Sequence, residues 1–221
     1  MLRIRKIVIR NALLVIVCCC ILITEKSTAQ ETIGSGAWLG IDLKYKLSKK
    51  FDLNFCPQLR TITTPPQFGS LLLETGLDYD VAKNFSASAF YRFDIKPGAF
   101  QNRIYVDLSV QHKLNKKLTA ELRVRIQRQF ERNNLPDNYL RPKLSIKYKL
   151  NKKITPFISG ELFYHVNYMG NEFDDFRFQP GINWALKNNM SLKTYYLLDY
   201  EFNVYAPGMQ HIVGITFGKD W

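Results

Sequence analysis

A short lysine turn recurs along the chain at intervals of about 35 residues: Leu47-Ser-Lys-Lys-Phe51, Val81-Ala-Lys-Asn-Phe85, Leu114-Asn-Lys-Lys-Leu118, Leu150-Asn-Lys-Lys-Ile154 and Leu186-Lys-Asn-Asn-Met190. Each copy sets two or three polar residues between an apolar residue that ends one segment and another that opens the next. A period of this size is compatible with helical hairpins, propeller blades or long β-hairpins, and the residues between the turns choose among them. They alternate. Ile104, Val106, Leu108 and Val110 share one phase, and Tyr105, Asp107, Ser109, Gln111 and Lys113 the other. After the next turn, Leu118, Ala120, Leu122, Val124 and Ile126 alternate with Thr119, Glu121, Arg123, Arg125 and Gln127. Period two over about ten residues is a strand with one apolar face. Helical repeats need apolar residues three and four apart, and a propeller blade would place four short strands where only two long arms fit. The repeating unit is a long β-hairpin.

The first 29 residues read as a secretory signal peptide. Arg3, Arg5, Lys6 and Arg10 form a basic start, Ala12 to Thr24 is an apolar run of about thirteen residues, and Ser27-Thr28-Ala29 offers a small-residue cleavage site. The run is shorter than the roughly 20 residues a membrane-spanning helix needs, and Val15-Ile16-Val17 before Cys18 lacks the small residues of a lipid-attachment site. Cys18, Cys19 and Cys20 leave with this segment; Cys56 remains, so residues 30–221 form one domain without an internal disulfide. The formal charge of +12 falls to +8 in that domain, because residues 1–29 carry five basic groups and one acidic. A basic exported chain whose lysines are spread over turns and strand faces is not expected to meet nucleic acid.

Eleven arms can be counted, over 37–47, 51–62, 70–81, 85–95, 103–114, 118–131, 139–150, 154–168, 175–186, 190–202 and 210–217. The lysine turns are tight, whereas the intervening connections carry the breakers: Thr64-Pro-Pro-Gln-Phe-Gly69, Lys96-Pro-Gly98, Asn133-Asn-Leu-Pro136, Met169-Gly-Asn171 and Ala206-Pro-Gly208. Short turns at one end and longer loops at the other match an outer-membrane barrel with its short turns on the periplasmic side. The expected fold is therefore all-β: one antiparallel up-and-down transmembrane barrel of about 10–12 strands. A soluble lipocalin-like barrel would show the same alternation with its apolar face inside. Three features favour the membrane form. Arms of ten to thirteen residues cross a bilayer when tilted. Charges of both signs sit at mid-arm on the polar phase (Asp107, Glu121, Arg123, Arg125, Lys147, Glu161, Lys193). Aromatics on the apolar phase gather near arm ends, with Tyr45, Phe51, Tyr79, Phe85, Tyr148 and Trp184 by the turns and Phe130, Tyr168, Phe176, Phe178 and Phe202 by the loops. His211, Val213, Ile215 and Phe217 then form a last amphipathic arm in a chain stopping on Trp221, the kind of ending read by the barrel assembly machinery. An odd count conflicts with the even number of bacterial barrels. Either one arm is outside the wall (Trp38 to Leu47 being the most dispensable), or a twelfth exists, or the first and last strands pair in parallel.

Gly36-Ala-Trp-Leu-Gly-Ile41, the apolar-Asn-Lys-Lys-apolar turns, Tyr139-Leu-Arg-Pro-Lys-Leu144 and Ser159-Gly-Glu-Leu-Phe-Tyr164 resemble a family of exported barrels labelled only as a domain of unknown function. The resemblance covers almost all of the mature chain. It implies an outer-membrane barrel and brings no activity, ligand or catalytic residue.

Catalytic chemistry finds little support. Barrel phospholipases place a histidine and a serine two residues apart on one lipid-facing strand, but two beyond His112, His165 and His211 stand Leu114, Asn167 and Val213. A cross-strand His–Ser pair stays open. Ser159, Glu161 and His165 share the polar phase of one arm, with Glu161 and His165 about 13 Å apart at roughly 3.3 Å per residue, too far to bond. They read as a buried polar network. No metal or other cofactor is expected: Cys56 is alone, the histidines are scattered, and Asp78-Tyr-Asp80 and Asp174-Asp175 lack the oxygen density of a calcium loop. The expected role is a non-enzymatic narrow channel or a structural and interaction barrel in outer-membrane lipid. The alternatives are a barrel enzyme acting on lipid or peptide and a soluble periplasmic binding barrel. Arg60, Arg92, Arg123, Arg125, Arg141 and Lys147 would reach into the lumen, and Arg123, Arg125, Arg141 and Lys147 are the candidates for favouring a small anionic solute.

Overall fold

The computed structural model describes residues 32–63, 66–131, 134–167 and 171–221, and all regular structure in them is β. The expected signal peptide lies outside the described residues. The strands are β1 (Thr32–Lys46), β2 (Phe51–Phe55), β3 (Gln58–Thr63), β4 (Pro66–Ala82), β5 (Phe85–Lys96), β6 (Ala99–Lys113), β7 (Leu118–Glu131), β8 (Asp137–Tyr148), β9 (Ile154–Val166), β10 (Glu172–Ala185), β11 (Met190–Glu201) and β12 (Gly208–Asp220). β2 and β3 are halves of one arm. Pro57 has no N–H to give the ladder, yet the register with β1 runs through the break, from Leu43↔Phe55 to Gly40↔Gln58. Cys56 N–H still donates to the Glu74 carbonyl, and the Pro57 carbonyl accepts from Ile41. The wall thus has eleven staves.

Neighbouring staves pair antiparallel throughout, and the last pairs with the first in parallel over thirteen positions, from Thr32↔Gly208 to Lys44↔Asp220. This resolves the odd count in favour of the third alternative. With eleven alternating directions, the first and last staves run the same way and can close only in parallel. The first arm, Trp38 to Leu47, belongs to the wall. Closure leaves no edge strand, so wall backbone groups find partners within the sheet.

Burial fixes which face is outside. Along β6, Val106 is 43% exposed and Val110 50%, while Tyr105 is 3% and Asp107 6%. The same division holds on β7, β9 and β12, where Ile126, Ile158 and Val213 look out and Arg125, Ser159 and Thr216 look in. An apolar exterior around a polar interior is the transmembrane form; the lipocalin-like alternative would need the reverse. Tyr45, Phe51 and Tyr148 stand exposed near the turns and Phe178 toward the loops; Tyr168 lies outside the described residues.

Three of the five lysine turns are built by their first polar residue. Asn115 Oδ1 accepts from the N–H of Lys117 (2.8 Å) and Leu118 (2.9 Å), and Asn151 Oδ1 from Lys153 (2.8 Å) and Ile154 (2.9 Å). Ser48 Oγ does the same for Lys50 and Phe51. The side chain thus replaces the ladder partner the turn residues lack. The last turn works differently: Asn188 and Asn189 adopt φ of 56° and 55°, the left-handed region a two-residue hairpin turn uses. At the other end, two of the five expected longer loops are tight. Thr63 pairs directly with Pro66 and Lys96 with Ala99, so these hairpins extend as strands beyond the range expected.

Inside, β12 contributes Gly214 opposite Tyr195 of β11. A methyl group on Gly214 would lie 2.0 Å from the Tyr195 ring, so the ring lies on bare backbone. Tyr195, Leu197, Ile212 and Phe157 cluster there with Trp38, which makes one side of the interior apolar. Gly214→Ala is expected to destabilise by about 1–3 kcal/mol, read as a lower temperature at which the folded band is lost on gels. Tyr195→Ala in the same chain should recover part of it.

Candidate functional site

The interior is the candidate site. Because staves alternate in direction while side chains alternate in facing, β5–β11 turn their charged phase inward at matched heights. Asp107 and Arg125 are direct register partners and form a two-pronged ion pair, Nε to Oδ1 at 2.7 Å and Nη2 to Oδ2 at 2.8 Å, with the guanidinium 3.6 Å above the Tyr105 ring. Glu161 of β9 takes Arg141 Nη2 at 2.9 Å and Arg123 Nη2 at 2.5 Å. Arg141 also donates to Gln127 at 2.7 Å and stacks on Phe163 at 3.8 Å. Asp199 holds Arg177 at 2.8 Å, Glu74 holds Arg92, and Glu121 holds Lys147 at 2.7 Å. Planar guanidinium groups suit this role, since each can face a carboxylate at its edge and an aromatic ring at its face.

The four expected lumen cations, Arg123, Arg125, Arg141 and Lys147, all face inward, and each carries a carboxylate partner. The cations without one are others. Among the described residues no ion pair includes Arg60, Lys143 or Lys193. Arg60 lies 3.7 Å over the Trp38 ring and donates to Gln58 at 2.8 Å; Lys143 donates to Gln179 at 3.3 Å; Lys193 sits 5.2 Å from the Phe157 and Tyr195 ring centres. Arg60 and Lys193 were legible as polar-phase residues. Their lack of partners was not, because it depends on which strands meet.

Ser159, Glu161 and His165 occupy three heights along the interior. Ser159 faces Ser145 across the β8–β9 pair, Glu161 lies at the arginine crossing, and His165 lies near the loops. His165 Nδ1 is 3.0 Å from Asp174 and Nε2 3.3 Å from Asp137, with the ring stacked on Tyr139 at 4.2 Å. A bulge at Phe173/Asp175 turns the successive Asp174 and Asp175 toward the interior together, which strict alternation forbids. No cluster suited to a metal ion occurs among the described residues.

Three cavities follow one another along the axis. The outer one, about 410 Å³, is bounded by Asp137, His165, Asp174, Glu201, Arg103 and Arg177. The central one, about 210 Å³, is lined by eight cationic side chains and by Glu161 as its one carboxylate among the described residues. The inner one, about 220 Å³, lies toward the lysine turns. Arg60 and Arg177 line both the outer and the central cavity, and Arg123, Lys143, Ser159, Gln179 and Lys193 line both the central and the inner one.

The fold also creates the cross-strand pairing left open by spacing. Ser35 is the register partner of His211 across the seam, and His211 Nδ1 lies 2.5 Å from the Tyr196 hydroxyl. A triad would place a carboxylate at that nitrogen. Here it meets a phenol, and no described carboxylate bonds the ring.

The family model described as "Protein of unknown function (DUF2490)" matches residues 35–207. The chain belongs to this family. A search of the curated proteins finds no match. Among solved structures, one that matches is described as a KdgM porin, 18% identical, with a TM-score of 0.44 over 71% of this chain and 79% of that one. Function in this DUF2490 barrel has to be argued from its own interior.

Within that interior, Asp107→Ala leaves the buried Arg125 without its carboxylate and is expected to cost about 3–5 kcal/mol in denaturant unfolding from lipid vesicles. Adding Arg125→Met should restore most of it, because the uncompensated charge is then gone.

Proposed function

We propose that this protein is a non-enzymatic outer-membrane barrel that passes small anions through a narrow basic lumen. The observation that carries the reading is the surplus of cations at the central constriction. After Glu161, Asp107, Glu74 and Asp199 are matched with their arginines, Arg60, Lys143 and Lys193 remain without carboxylates. Fixed positive charge beside a low-dielectric wall attracts anions and repels cations, and a ring of such groups sets selectivity in a pore. The alternating cavities supply stations between which a small solute moves past arginine side chains. The apolar exterior supports insertion in a bilayer, and the leader expected at residues 1–29 supports export to the outer membrane.

The paired arginines have a second role under this reading. Each carboxylate cancels one charge and fixes one guanidinium against an aromatic ring, so the polar network narrows the lumen while the unpaired cations set its sign.

Two measurements test this. The expressed protein should fractionate with the outer membrane and migrate faster on gels when unheated; recovery as a soluble protein would refute the membrane placement. In planar bilayers under a potassium chloride gradient, the reversal potential should report anion preference. Glu161→Gln, which releases Arg123 and Arg141, should strengthen that preference, and Arg60→Gln should weaken it. Cation preference in the unaltered barrel would overturn the proposal.

A further inference from the structure

The inner cavity opens onto the central one, sharing Arg123, Lys143, Ser159, Gln179 and Lys193 with it, and adds Ser145, Lys147 and Glu121 on the lysine-turn side. Its cations are Arg123 and Lys193 from β7 and β11, and Lys143 and Lys147 from β8. Its one described lining carboxylate, Glu121, is held by Lys147 at 2.7 Å. Glu161, the cross-strand neighbour of Lys143, is engaged by Arg123 and Arg141. Lys143 is left with the neutral Gln179, and Lys193 with two ring faces and its register partner Asn183. Asp42 of β1, two staves from Lys193, attracts it but forms no ion pair with it. Arg123 Nε is buried and makes no hydrogen bond to a described residue.

Hydroxyls complete the set. Ser145 and Ser159 are direct register partners on β8 and β9, buried to 8% and 4% exposure, and both line this cavity. Two ammonium groups, a guanidinium N–H and two hydroxyls thus surround one space of about 220 Å³. Burying charged donors without acceptors is costly, and an anion that accepts from several at once offsets that cost.

We propose that this cavity is a binding site for a compact oxyanion, with Lys143 and Lys193 as its charge-bearing ligands, Ser145 and Ser159 as hydroxyl donors, and inorganic phosphate as its simplest occupant. The inference deepens the anion-path reading and rests on it for the route by which the solute arrives. The volume admits a tetrahedral oxyanion with a few waters, each about 30 Å³ in the liquid. Several spread donors favour phosphate over chloride, which offers a single centre.

The test uses the folded barrel in detergent and in planar bilayers. Titration calorimetry with inorganic phosphate, at constant potassium chloride, should show saturable one-site binding, and phosphate added on the lysine-turn side should block chloride current at the same concentrations. Lys143→Gln and Lys193→Gln should each weaken binding at least about tenfold, as loss of one charge-assisted bond implies. Lys147→Gln, whose lysine already has Glu121, should weaken it less than about threefold. The unheated gel shift of each variant checks folding, and Ser159→Ala gives a milder second readout. Equal displacement by chloride, or unchanged binding in both glutamine variants, would overturn the site. An anion-selective barrel that neither binds phosphate nor is blocked by it would sink the site and leave the path standing. A non-conducting barrel with lysine-dependent phosphate binding would do the opposite.

Discussion

Everything in this barrel depends on the parallel seam between β1 and β12. In hydrocarbon each unpaired backbone N–H or C=O costs several kcal/mol, so a sheet that crosses a bilayer must close on itself. Ten ordinary contacts between staves bring the sheet around, and thirteen paired positions from Thr32 to Lys44 remove its last two edges. Parallel pairing is slightly weaker per residue than antiparallel. The seam offsets that with length, and Gly214 beside it leaves bare backbone on which the Tyr195 ring packs inside. Closure by an odd number also sets the termini: Thr32 lies at the loop end and Asp220 at the turn end.

Closure then decides the chemistry. A closed wall turns one phase of every stave to a confined interior, where charges have few routes to solvent and must find one another. On β6–β11 they do: the register sets Asp107 opposite Arg125 and Arg177 opposite Asp199, and Glu161 of β9 takes Arg123 and Arg141 from β7 and β8. On β11, β12 and β1 the inward phase is mostly Tyr195, Leu197, Ile212, Gly214 and Trp38, and the acid Asp199 is already taken by Arg177. The cations that reach toward that side, Arg60 and Lys193, settle on rings rather than carboxylates. The positive surplus of the lumen is thus a consequence of having one polar and one apolar half.

Much of the fold was legible in the sequence, because period two and the recurring Asn-Lys-Lys turns are local signals. All eleven arms are present, and the polar phase lies inside. What was not legible is what depends on neighbours. The break at Cys56-Pro57 leaves the register intact, so it divides a strand without dividing the arm. The bulge at Asp174 cannot be read from alternation, since it is a departure from it. Charges of both signs at mid-arm implied pairing across strands, but not which cation keeps which carboxylate, because a cluster of basic residues in one stretch of chain says nothing of the acids on the next strand. Spacing did exclude a bond between Glu161 and His165, because that distance lies within a single strand.

Ser35 and His211 meet only because β1 and β12 close in parallel, 176 residues apart in the chain. They face outward, where a lipid-cleaving pair would stand, but the histidine is oriented by the Tyr196 hydroxyl. A phenol at Nδ1 cannot balance an imidazolium as a carboxylate does, so proton transfer from serine would gain little there. The polar groups that closure gathers most densely stand inside, around Asp107 and Glu161.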